Sequence, residues 1–197
     1  VVERQEQVAP DALMTRIGQA VMLHHGGDRE EARHRLLQLW AEIGEDGTPL
    51  HRCTLAHYMA DTQDDPDTEL AWDLRALSAA DELSDGRSAE HPTDHPVHHP
   101  PHHQADHSAA RPREHHDELA VRAFYPSLHL NLAADYARLG RPDAARSHLR
   151  LARAALAALE DGGHGDGVRT ALGRLEARLD EAGPGGGDTP GPPRQRP

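Results

Sequence analysis

The 197 residues suffice for one compact domain or one short helical array, and with 37% hydrophobic but only 3% aromatic residues the core must be built from Leu and Ala. A net charge of −12 argues against a nucleic-acid binder, which needs a basic face, and against anchoring to an anionic membrane. The single cysteine, Cys53, excludes an internal disulfide, and no stretch is apolar enough over its length to predict a membrane-spanning helix.

All 21 basic residues are Arg, the codon signature expected of a GC-rich bacterial genome. The opening stretch VVERQEQVAPDALM has neither a basic start nor an apolar core, so a soluble cytoplasmic protein is expected, with residues 1–9 frayed. Asp11 suits the cap of a first helix reaching about His24, with Leu13, Ile17, Ala20, Val21 and His24 on one stripe. His25-Gly26-Gly27 ends it, because glycine takes the left-handed conformation past a helix end. Asp28, followed by Glu31, predicts a second capped helix whose apolar face is Ala32, Leu36, Leu39, Trp40 and Ile43. After a turn over Gly44 to Pro49, a third helix is expected from Leu50 to Thr62. Pro66 then suits the first turn of a fourth helix carrying Leu70, Ala71, Leu74, Leu77 and Leu83.

The pattern breaks over residues 84–115. Pro92, Pro96, Pro100 and Pro101 oppose a helix, and apolar residues almost vanish, which predicts a disordered insert. Excising it brings the Ala71 to Ala145 spacing into line with that from Ala32 to Ala71. Helical pattern resumes at His116, with Pro126 expected to kink or restart the helix. After Gly162-Gly163-His164-Gly165, Asp166 is the expected cap of a last helix with Val168, Leu172, Leu175 and Leu179 on one side. Residues 183–197 are rich in Gly and Pro and predict a disordered tail.

Residues 129–156, HLNLAADYARLGRPDAARSHLRLARAAL, place Leu132, Ala133, Tyr136, Gly140, Ala145, Leu149 and Ala152 in a fixed order. That order resembles a tetratricopeptide repeat, with His129 where the family usually has Trp. The resemblance implies an all-α fold: a short right-handed stack of about three antiparallel helix–turn–helix hairpins and a C-terminal capping helix. Hairpins one and two would occupy 10–83, and the third hairpin with the capping helix 116–182. It also implies a non-catalytic protein that binds a protein or peptide through a helical groove. The groove positions would be Ser127, Leu130, Ala134, Ala137 and Arg138, with Asn131 alongside. Arg138 would meet an acidic group of the partner.

Chemistry-bearing candidates outside the repeat are few. His91, His95, His98, His99, His102, His103 and His107 crowd the insert, and neutral imidazole suits Ni²⁺ or Zn²⁺. A divalent-metal binder or sensor is therefore the alternative function, although a low-complexity spacer explains the same residues. Were all 17 His protonated, the net charge of −12 would change sign. Cys53 and His57 fall on one helix face, but without an evident orienting carboxylate they predict a buried, inert thiol. His148 is expected to point into solvent. The acidic run from Asp61 to Asp67 lacks calcium-loop spacing. There is no phosphate loop, no G-x-S-x-G and no H-E-x-x-H, so no enzyme activity and no cofactor is expected.

Overall fold

A computed structural model of the chain describes residues 12–44, 47–88, 111–159 and 165–181. Among these residues the regular structure is helical, with no strand. The helices are α1 (Ala12–His25), α2 (Arg29–Ile43), α3 (Pro49–Asp61) and α4 (Pro66–Ser88), followed by α5 (Arg111–Arg138), α6 (Pro142–Ala158) and α7 (Asp166–Glu181). None of them is long and apolar enough to cross a membrane.

Helix starts and stops follow local chemistry. Asp28 caps α2 by accepting from the Glu31 amide at 3.4 Å. Thr48 caps α3 by accepting from the His51 amide at 3.3 Å, with Pro49 in the first turn. Asp65 accepts from both the amide and the hydroxyl of Thr68, at 2.9 and 2.6 Å, and so fixes the start of α4. Gly140, at φ +68°, reverses the chain between α5 and α6 in a conformation that L-residues with a side chain rarely adopt. Asp166 departs from its expected role: it lies inside the first turn of α7 and pairs with Arg169 at 2.8 Å.

The pairs α1–α2, α3–α4 and α6–α7 run antiparallel, and α5 packs on α6. Arg16 near the start of α1 pairs with Glu42 near the end of α2, and Arg52 near the start of α3 pairs with Glu82 near the end of α4. His129 and Tyr136 of α5 meet His148 of α6, while Arg146 of α6 donates to the Leu179 carbonyl at the end of α7, 3.2 Å away.

The apolar side chains form three cores in series. Ile17, Ala20, Val21, Leu36, Leu39, Leu55 and Met59 join α1, α2 and α3. Leu50, Cys53, Ala56, Ala76, Ala79, Ala80 and Leu128 join α3, α4 and α5. Ala133, Ala145, Leu149, Ala152, Leu156, Leu172, Leu175 and Leu179 join α5, α6 and α7. Helix α3 therefore serves the first and second cores, and α5 the second and third. Because α3 contributes to two cores, apolar residues ring it rather than forming a stripe: Leu50, Cys53, Leu55, Ala56, Met59 and Ala60 are all buried. Trp40 of α2 meets Trp72 of α4 edge to face at 5.0 Å, tying the first core to the second hairpin.

Three expectations need correcting. Helix α4 runs to Ser88 and α5 begins at Arg111, so helix enters both edges of the segment 84–115. Pro126 neither ends nor restarts α5: it is buried inside the continuous helix, where neighbouring packing compensates for its missing N–H. Leu74 is 42% exposed and lies off the packed face of α4. The central residues 89–110 of the expected insert, and the tail 183–197, lie outside the described residues.

Candidate functional site

Buried carboxylates meet where α4 begins and α5 ends. Glu69 and Asp73 are four residues apart on α4, and so share a face. Asn131 and Asp135 do the same on α5, with Arg138 one turn beyond Asp135. Glu69 sits in the first turn of α4 and Arg138 in the last turn of α5, so each charge has the sign its helix end favours.

Arg138 Nη2 reaches Glu69 Oε2 at 2.5 Å and Asp135 Oδ1 at 2.6 Å. Asp73 is 0% exposed and Asp135 1%. Neither Asp73 oxygen, nor Asp135 Oδ2, meets a hydrogen-bond donor of normal geometry. One oxygen from each of Glu69, Asp73 and Asp135 lies within 4.8 Å of the others. Burial, reinforced by the Asp135 charge, pushes the Asp73 carboxyl up to about 9, and the neighbouring Asn131 amide offsets only part of this. Asp135 and Glu69 are also raised by burial, each partly offset by Arg138. A proton held between Asp73 and Asp135 relieves both the repulsion and the missing donor.

A cleft of about 420 Å³ opens beside this cluster. Glu69, Asn131 and Arg138 line one side, and Asp61 stands at the end of α3. Ala134 and Ala137 form its apolar floor on α5, and Leu175, Arg178 and Leu179 of α7 form the facing wall. The lining combines apolar and charged groups.

Of the residues expected in the groove, Asn131, Ala134, Ala137 and Arg138 come together here, whereas Ser127 and Leu130 do not line the cleft. Leu130 packs against the third core. Arg138 departs from its expected role: its guanidinium is engaged within the protein by Glu69 and Asp135. Arg178, exposed on the opposite wall, makes no ion pair among the described residues. The helical spacing did not single out Glu69, Asp73 or Asp135. The available signal was a charge inside an apolar stripe, as in Leu70-Asp73-Leu77 and Leu128-Leu132-Asp135-Leu139.

The other candidates resolve differently. The Cys53 thiol is pushed up to about 12 by burial, reinforced by Asp81, which leaves it a poor nucleophile. His57 packs on Tyr58 and against Phe124, with ring centroids 5.1 and 5.8 Å away, and burial lowers its pKa. His148, expected in solvent, is half-buried. It stacks on Tyr136 at 5.4 Å, and its Nδ1 lies 3.2 Å from Nδ1 of His129. The histidines from His91 to His107 lie outside the described residues.

Comparison with protein-family models, with curated proteins and with solved structures finds no match.

Proposed function

We propose that this chain is a helical-repeat protein of tetratricopeptide type, stacked right-handedly, that binds a peptide segment of a partner protein without catalysis. The observation that carries the reading is the cleft between α5 and α7. It gathers Asn131, Ala134, Ala137 and Arg138, which the repeat resemblance assigns to a groove, against a second apolar wall. Peptide side chains would pack between the two alanines and Leu175 and Leu179. Asn131 would meet peptide backbone, and Arg178 would pair with an acidic side chain. Arg138 holds the cleft's shape through Glu69 and Asp135 rather than touching the ligand.

The test is a peptide-array screen followed by fluorescence anisotropy on the best binder. Ala137→Trp fills the cleft and is expected to weaken binding at least about tenfold, a difference of about 1.4 kcal/mol. Arg178→Glu should weaken acidic peptides and spare neutral ones. Unchanged affinity in Ala137→Trp, with the fold intact by circular dichroism, removes the cleft from the proposal.

A further inference from the structure

Three carboxylates converge on one point, yet the protein supplies one guanidinium to balance them. Arg138 occupies Glu69 Oε2 and Asp135 Oδ1. Both oxygens of Asp73 and the second oxygen of Asp135 lack a donor of normal hydrogen-bond geometry, on side chains that are 0% and 1% exposed. A fully buried carboxylate without a donor is strongly disfavoured as an anion unless a cation meets it. Here it belongs to a cluster in which one oxygen from each of Glu69, Asp73 and Asp135 lies within 4.8 Å of the others. Two oxygens on opposite sides of a hard cation at about 2.4 Å are separated by about that distance.

Charge balance agrees. Once the proton shared by Asp73 and Asp135 is displaced, three carboxylates and Arg138 leave two negative charges, which one divalent cation cancels. On Asp135, Arg138 holds Oδ1 and leaves Oδ2 open. The adjoining cleft reaches Glu69 and supplies a route for the ion and for the waters that complete its coordination.

We infer that Glu69, Asp73 and Asp135 form a binding site for a hard divalent cation, Ca²⁺ or Mn²⁺ in type, with Arg138 as a charge-balancing neighbour that holds two of the ligands. The all-oxygen donor set separates this site from any metal chemistry of the histidine-rich segment, since imidazoles favour Zn²⁺, Ni²⁺ and Cu²⁺ over Ca²⁺. The inference does not rest on peptide binding, and its test uses no peptide.

The full chain, stripped with chelator, is melted with and without Ca²⁺ or Mn²⁺, and the stoichiometry is measured by titration calorimetry. At a hundredfold excess over Kd the melting temperature should rise by roughly 5–10 °C, with one ion per chain. Asp73→Asn and Glu69→Gln should each abolish the rise. Because Asn is neutral and of the same shape, Asp73→Asn is expected to fold; Glu69→Gln decides the matter if it does not. No rise in the wild-type protein with either ion overturns the site, as does a rise retained in both variants.

Discussion

The pair His129 and His148 shows how a residue chosen by spacing acquires its role from packing. Both rings are half-buried, and burial lowers their pKa values; for His129 the neighbouring His148 lowers it further while Asp81 opposes. Tyr125 and Tyr136 flank the two rings. A folded-state value depressed below the unfolded one means that the unfolded chain binds more protons. The contribution to stability is whole above the unfolded histidine value of about 6.5 and is lost as pH falls through the depressed folded values. Urea midpoints at pH 7.5 and 5.5 should differ less in the double variant His129→Gln/His148→Gln than in the wild-type chain. Comparing the two proteins isolates the pair from Glu69, Asp73 and Asp135, whose raised values act in the opposite direction. An equal pH effect in both proteins would sink the assignment. Sequence spacing could not reveal this pair: His148 sits just off the Ala145–Leu149 stripe, and only the approach of α5 makes that position half-buried.

Element boundaries were the most legible part of the chain, because caps and glycines act locally. Asp28, Pro66 and Gly140 each stand at the helix end their chemistry suits. The two misplaced ends, at Ser88 and Arg111, lie where composition turned polar, yet a polar helix still propagates once its neighbouring turns are formed. Pro126 misled for a related reason. Its cost is local, whereas the burial of Pro126 itself and of Leu128 and Leu132 beyond it is tertiary. The carboxylate cluster was hidden because its members come from helices separated by the whole central segment. Glycine position decides the sign of a simple test. Gly140→Ala, at φ +68°, is expected to cost about 1 kcal/mol. Gly18→Ala, within α1 and with nothing within 4 Å of the added carbon, should stabilise by about 0.5–1 kcal/mol. Denaturant midpoints moving the same way in both variants would contradict the helix and turn assignments.

At the scale of the whole molecule, three small cores in series replace one large one. Each is shared by three helices, so stability is expected to pass from neighbour to neighbour along the chain. The middle core encloses the sole sulfhydryl, Cys53, which is 0% exposed. Reagents that label thiols can reach it only when that core parts, and its raised pKa of about 12 keeps the unreactive form dominant until then. The protein thus carries a built-in clock for its own breathing. Labelling should quicken when Leu128→Ala loosens the centre and keep its pace when Leu172→Ala loosens the far end. A single stopwatch reading on each variant would tell whether the array opens piecewise or all at once.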